Sequence, residues 1–79
     1  MDNTQEISNP LDFNQIYKQY YKEIVSFVGF KIQDSMITEE VVNDSFMKLY
    51  NNLSTFDAKK ASIKTWLFTI VNNTVIDYR

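Results

Sequence analysis

Apolar residues recur every three to four positions in three long stretches of this sequence, a spacing typical of amphipathic helices. In the second stretch, "TEEVVNDSFMKLY", a turn of 100° per residue places Val42, Phe46 and Leu49 on one side. The segment "STFDAKKA", before the third stretch, has no clear periodicity and is predicted to be a loop. The predicted helices span residues 10–31, 37–52 and 63–79.

Local signals at the helix ends support these boundaries. Asn9 is the predicted N-cap of the first helix, with Pro10 in its first position, and Ser62 is the predicted N-cap of the third. Gly29, near the end of the first helix, is unfavourable there by about 1 kcal/mol relative to alanine. It indicates either fraying or the close approach of another helix.

The predicted fold is all-α, a compact three-helix domain over residues 10–79. Residues 1–9 show no periodicity and are expected to be disordered. The helical pattern still runs at Arg79, so we expect a domain truncated from a longer protein. The predicted core consists of Ile16, Tyr20, Ile24, Val42, Phe46, Leu49, Leu67, Ile70 and Thr74. The predicted buried stripe of the third helix is Ile63, Leu67, Ile70, Val71, Thr74 and Tyr78.

The composition of the 79 residues agrees with a small helical domain and excludes several kinds of site. One glycine and one proline are too few for a many-turned β architecture. With no cysteine there is no disulfide or thiolate metal site, and with no histidine we expect no zinc site, no histidine-based triad and no cofactor. No apolar run approaches a membrane span, and the polar N-terminus is not a signal peptide, so we expect a soluble, cytoplasmic protein.

Charge is distributed unevenly along the chain, although the net charge is only −2. Residues 1–46 hold three lysines against eight carboxylates, and residues 59–79 hold four basic side chains against one carboxylate. This asymmetry favours an acidic surface for one partner and a basic surface for an anion, although small domains also show it by chance.

The outward side of the second helix has an unusual composition. Glu40, Asn43, Asp44 and Met47 fall there. An acidic helix face usually carries lysines four residues further on and no exposed methionine. Carboxylates can receive arginine by bidentate pairing, and methionine offers an adaptable apolar contact, so this side is a candidate protein interface.

The outward side of the third helix carries amides, hydroxyls and aromatic rings. Amides and hydroxyls read base edges, and unstacked bases lie on aromatic rings, which favours a surface for single-stranded nucleic acid. Lys59, Lys60 and Lys64 flank this side at the N-terminal end of the helix. The alternative is that Trp66 and Phe68 simply pack under the first helix. The residues on this side are Thr65, Trp66, Phe68, Thr69, Asn72, Asn73 and Ile76.

Three segments together resemble region two of a bacterial RNA polymerase sigma factor of the extracytoplasmic-function class. They are "FNQIYKQYYKEIVSF", "TEEVVNDSFMKLY" and "FDAKKASIKTWLFTIVNNTVIDYR", which cover the chain from Phe13 to Arg79. The third is the most specific, because its "TWL", Asn73 and "IDYR" keep the family's spacing. The resemblance implies a transcription initiation factor domain that recognises and melts the promoter minus-ten element. Region four, the separate helix-turn-helix domain of the family, has no counterpart in this sequence.

The resemblance implies that the second helix docks on the clamp coiled coil of the largest polymerase subunit. By position, Glu40 stands where the family usually has Asp, Asn43 where it has Gln, and Asp44 where it has Glu. These residues keep their chemistry but change side-chain length, and Met47 completes the face. An anti-sigma factor is a further candidate partner.

The resemblance also implies that a flipped non-template base is held between the loop and the third helix. By position, Asn73 matches the family's base-contacting Asn, and Phe56 matches the loop aromatic. Trp66 matches a tryptophan expected to support the helix from inside. Thr69 and Asn72 stand where Arg is common, so we expect weaker phosphate attraction and poor DNA binding without polymerase.

Two other classes of function compete with this interpretation. A helical protein-interaction module, or a regulator that mimics a sigma factor, would use the same acidic face without DNA affinity. An enzyme is disfavoured, because the carboxylates have no histidine, cysteine or metal set beside them and no glycine-rich loop exists for a nucleotide.

Overall fold

A computed structural model of the chain describes residues 12–78, which form three helices. Helix α1 spans Phe13–Ile32, α2 spans Ser35–Asn51 and α3 spans Ile63–Tyr78. A single 3₁₀ turn, Leu53–Thr55, follows α2. Each helix contacts the other two, and the described residues contain no strand. The predicted all-α, three-helix fold is therefore confirmed.

The first described helix is capped by Asp12, whose carboxylate accepts a hydrogen bond from the backbone N–H of Asn14 at 3.0 Å. The predicted helix over residues 10–31 would place Asp12 inside its first turn. The predicted cap Asn9 and the predicted first residue Pro10 lie outside the described residues. Within those residues, an extended backbone at Asp12 means that the helix starts at Phe13.

The connection between α1 and α2 is shorter than predicted. Gln33 ends α1 in the left-handed conformation, with φ of 58°, and its N–H donates to the carbonyl oxygen of Gly29 at 2.9 Å. Asp34 then caps α2 by accepting from the N–H of Ile37 at 3.0 Å. Because this cap comes earlier than expected, α2 begins at Ser35 and not at Ile37.

The core lies where the three helices meet, and most of the predicted core residues are in it. The buried apolar side chains are Ile16, Ile24, Val28, Val41, Val42, Phe46, Leu49, Leu67, Val71 and Val75. Thr74 is also fully buried, and its hydroxyl donates to the carbonyl oxygen of Ile70 at 2.8 Å. This bond satisfies the hydroxyl group of Thr74 inside the core.

Four residues expected in the interior are less buried than predicted. Tyr20, Ile63 and Ile70 are half-buried, and Tyr78 is exposed. A tyrosine tends to keep its hydroxyl in water, and Ile70 lies on the flank of α3 beside the buried stripe. Conversely, Val28 and Val41 were absent from the predicted core and are fully buried.

The loop before α3 is more ordered than its sequence suggests. After the 3₁₀ turn, the backbone oxygen of Asp57 accepts from the N–H of Lys60 at 3.0 Å, and its carboxylate accepts from the N–H of Lys59 at 2.9 Å. The hydroxyl of Ser62 accepts from the N–H of Thr65 at 3.1 Å. The predicted N-cap of the third helix is therefore confirmed.

Gly29 is neither a frayed end nor a point of close approach. It lies within α1, which continues to Ile32. A methyl group added at Gly29 would meet the methyl of Thr38 at 3.9 Å, an ordinary van der Waals distance. The packing of α1 on α2 therefore does not require a glycine at this position.

Candidate functional site

The predicted interface on α2 is open to solvent. Glu40, Asn43 and Met47 are exposed, and the side chain of Asp44 is 42% exposed. The opposite side of the helix carries the core residues, so these four side chains share one outward face. We call them the α2 face.

One member of the α2 face has a basic partner on its own helix. The ammonium group of Lys48 lies 3.6 Å from the Asp44 carboxylate, as expected for an i,i+4 pair. The same ammonium group donates to the Thr74 hydroxyl at 3.2 Å and lies 3.9 Å from the Asp77 carboxylate on α3. Lys48 therefore balances part of the negative charge of the α2 face, and it connects this face to α3.

Met36 extends the apolar part of this side of α2 and was missed by sequence reasoning. It lies one turn before Glu40 and is 77% exposed. The four-residue spacing from Met36 to Glu40 was the signal that could have identified it.

A groove between α1 and α3 brings together Lys64, Thr69, Asn72 and Asn73. They are four of the seven residues that the sequence predicts to contact DNA, the others being Phe56, Lys59 and Lys60. The groove has a volume of about 510 Å³. We call it the α1–α3 groove. Its lining consists of Phe27, Lys64, Thr65, Phe68, Thr69, Asn72 and Asn73.

The other three predicted DNA contacts, Phe56, Lys59 and Lys60, lie on the loop before α3 and not in this groove. Lys59 and Lys60 are exposed, whereas Phe56 is half-buried. The Phe56 ring packs on Trp66, with ring centroids 5.1 Å apart. Trp66 and Asn73 lie seven residues apart on nearly the same side of α3, about 10 Å along the helix axis. The loop aromatic therefore packs at one end of this strip of α3, and Asn73 lies about two turns further along it.

The two aromatic rings of α3 are partly structural. Trp66 and Phe68 are half-buried against the core, Trp66 beside Phe56 and Phe68 beside Phe27 of α1. The alternative that these rings pack inward is thus correct for part of their surface. Of the apolar residues on this side of α3, Ile76 is the most exposed, at 56%.

Helix α1 contributes one lining residue to the groove and two charged residues that contact the lining, and sequence reasoning missed all three. Glu23 pairs with Lys64, with 3.2 Å between ammonium nitrogen and carboxylate oxygen. Phe27 forms part of the lining, and the ammonium group of Lys31 lies 5.1 Å from the centre of its ring. The spacing of Glu23, Phe27 and Lys31, four residues each, was the available signal.

The described part of the chain holds no cluster of acidic side chains suited to a metal ion. None of its helices is long and apolar enough to cross a membrane.

The family model for sigma-70 region 2 matches residues 16–79, which include α1 from Ile16 onward and all of α2 and of α3. The chain belongs to this family. The resemblance found in the sequence is therefore confirmed, and the α2 face and the α1–α3 groove are surfaces of a sigma-70 region 2 domain.

Curated relatives agree with this assignment. The chain is 33% identical over 63 residues to the RNA polymerase sigma factor YlaC of Bacillus subtilis, which covers 80% of the chain and 36% of that protein. It is 28% identical over 68 residues to the ECF RNA polymerase sigma factor SigM of the same organism, covering 86% of the chain and 40% of SigM. The match to the ECF RNA polymerase sigma factor SigX is 27% over 66 residues, covering 84% and 34%.

The region 2 domain spans between about a third and two fifths of the length of these relatives. No solved structure matches the chain significantly.

Proposed function

We propose that this domain docks on the clamp coiled coil of the largest RNA polymerase subunit and recognises and melts the promoter minus-ten element. The α2 face makes the polymerase contact in this proposal. The loop before α3 and the outward side of α3 contact the non-template strand. The domain performs no catalysis itself.

The observation that carries the polymerase half is the composition and exposure of the α2 face. The outward positions of a packed helix can usually hold many different polar residues. Here two carboxylates, an amide and a thioether lie together in solvent. Carboxylates bind arginine or lysine by charge-assisted hydrogen bonds, and the Met47 side chain, 52% exposed, gains by leaving water. A basic, partly apolar helical partner fits this chemistry.

The DNA half is supported by the separation of two kinds of side chain. Lys59 and Lys60 lie exposed just before the N-terminus of α3, where phosphate is attracted both by the ammonium groups and by the helix dipole. Asn72 and Asn73 lie exposed further along the helix, where an amide can pair with a base edge. Phosphate contacts then set the register, and the amides provide selectivity.

Binding to the isolated clamp coiled coil, followed by calorimetry, tests the polymerase half directly. We expect a complex that weakens as salt is added, because its charges are partly exposed. If no complex forms, the assignment of the α2 face is wrong.

The DNA half is tested with polymerase core present, using a fluorescent single-stranded minus-ten oligonucleotide. We expect the domain to increase the binding of this strand by the core and to favour it over a scrambled strand. A domain that binds the coiled coil without changing DNA binding would be a protein-interaction module or a sigma-factor mimic, the alternative left open by the sequence.

A further inference from the structure

We propose that the α1–α3 groove is a binding site for one unstacked nucleotide of single-stranded DNA, and that α1 supplies Phe27 to its lining and Lys31 beside the Phe27 ring. This inference rests on the proposed function, since it assumes that α3 binds DNA. It adds a second nucleotide position beside the one near Phe56, and it makes the first helix part of the DNA surface.

The aromatic wall of the groove is formed by one ring from each helix. The Phe27 and Phe68 rings lie 5.4 Å apart between centroids and are nearly perpendicular, at 83°. Both rings line the groove, and because they meet edge to face they cover each other only in part, which leaves ring surface against which a planar base can pack. Stacking of this kind tolerates any base, because every base has an aromatic face.

Two ammonium groups accompany these rings, one from each helix. Lys31 lies 5.1 Å from the centre of the Phe27 ring, and Lys64 lies 6.0 Å from the centre of the Phe68 ring. A nucleotide presents an aromatic base and an anionic phosphate close together, so each ring with its lysine matches one part of that pattern. Lys64 is also paired with Glu23 at 3.2 Å, but the two lysines outnumber that carboxylate, which favours an anion over a neutral apolar ligand.

Hydrogen-bonding groups complete the groove on the α3 side. Asn72 and Asn73 are exposed along its rim, and Thr65 and Thr69 lie beside them. An amide offers both donors and an acceptor to a base edge, which the aromatic wall alone cannot provide. The volume of about 510 Å³ falls within the range of roughly 300–1,000 Å³ that small-ligand pockets occupy.

Titration of the isotope-labelled chain with a short single-stranded oligodeoxynucleotide, followed by NMR at low salt, tests this site. The method detects weak binding, so polymerase is not needed. We expect the side-chain amide signals of Asn72 and Asn73 and the backbone signals of Phe27 and Lys31 to shift together. We expect Phe27→Leu to weaken binding by about fivefold, within the range reported for loss of one stacked base.

Matched variants on α1 separate the groove from general effects. Phe30→Leu removes a ring from the same helix at a position that is 80% exposed and outside the groove lining. Lys22→Gln removes one exposed lysine from α1, as Lys31→Gln does, but Lys22 neither lines the groove nor lies over the Phe27 ring. We expect each groove variant to weaken binding more than its control. Lys31 is exposed, so its variant keeps the test valid if Phe27→Leu impairs folding.

Three results would overturn the inference, and they are distinguishable. If binding depends on Lys59 and Lys60 but the groove variants equal their controls, only the groove site is wrong. If a polyglutamate peptide causes the same shifts with equal affinity, the groove binds polyanions and does not stack a base. If the oligonucleotide shifts no signal at all, the DNA half of the proposed function fails as well.

Discussion

The ammonium group of Lys64 lies 3.2 Å from the carboxylate of Glu23, an ion pair that joins α3 to α1 at the α1–α3 groove. Both side chains are about half exposed, so the pair is weak and exchanges with solvent ions. Lys64 is also a residue predicted to contact phosphate. Glu23 therefore competes with DNA for the same lysine in the free domain.

We expect Glu23→Gln to strengthen binding of single-stranded DNA by up to about fivefold at low salt, because an exposed ion pair stabilises by roughly 0–1 kcal/mol. Fluorescence anisotropy with a labelled oligonucleotide measures the change. Glu39→Gln is the matched control, since it removes the same charge from an exposed position outside the α1–α3 groove. Equal gains for the two variants would mean that only net charge matters.

The α2 face leads to a prediction about polymerase binding. Asp44→Lys should weaken the complex with the clamp coiled coil by roughly 2–5 kcal/mol if the contact is a desolvated charge pair. The fold should persist, because the Asp44–Lys48 pair is exposed and worth only about 0.3–0.5 kcal/mol. Glu39→Lys makes the same reversal on α2 outside the α2 face and should have a much smaller effect. Unchanged affinity for Asp44→Lys would refute the docking assignment.

Selectivity for the promoter should depend on Asn73. With polymerase present, Asn73→Ala is expected to cost about 1–3 kcal/mol on the preferred minus-ten strand and little on a scrambled strand. Lys59→Gln and Lys60→Gln should weaken binding to both strands about equally, because phosphate carries no sequence information. Competition binding with the two strands measures the difference. Equal losses for Asn73→Ala on both strands would leave α3 as scaffold only.

The sequence was sufficient to predict the fold because each helix carries an unambiguous apolar period. The details it missed depend on how the helices pack. Val28 continues the four-residue spacing of Ile16, Tyr20 and Ile24 but was absent from the predicted core. It is fully buried, because α1 packs against two helices and buries a wider face than one stripe. The predicted start of α2 was wrong because the sequence around Asp34 is equally compatible with a helix cap and with a loop.

The two candidate sites also differ in how much of each could be predicted from the sequence. Exposure of the α2 face could be predicted from helical geometry, since its residues share one side of a single helix. The Glu23–Lys64 pair and the contact of Phe27 with Phe68 join different helices, so they depend on crossing angle and axial offset. A periodic pattern in one helix contains neither quantity, which is why the contribution of α1 to the groove became visible only in three dimensions.

Phe46 should be among the positions least tolerant of truncation. It is 2% exposed and its ring lies 4.8 Å from that of Tyr17 and 6.3 Å from that of Phe13, measured between centroids. Phe46→Ala should lower the free energy of unfolding by about 3–5 kcal/mol, from lost burial and the cavity left behind. Urea denaturation followed by circular dichroism measures this. The exposed Phe30→Ala should change stability by less than about 0.5 kcal/mol, and a similar loss at both positions would contradict the described core.

Gly29→Ala should stabilise the domain, because the fold gains nothing from a glycine there. The residue is helical without a positive φ, and an added methyl group would meet only the Thr38 methyl at 3.9 Å. Alanine reduces the conformational freedom of the unfolded chain, so we expect the free energy of unfolding to rise by about 0.5–1 kcal/mol. Thermal unfolding should shift upward accordingly, while binding to the clamp coiled coil stays unchanged. A loss of stability would show instead that α1 and α2 approach more closely at Gly29 than the described contact with Thr38 allows.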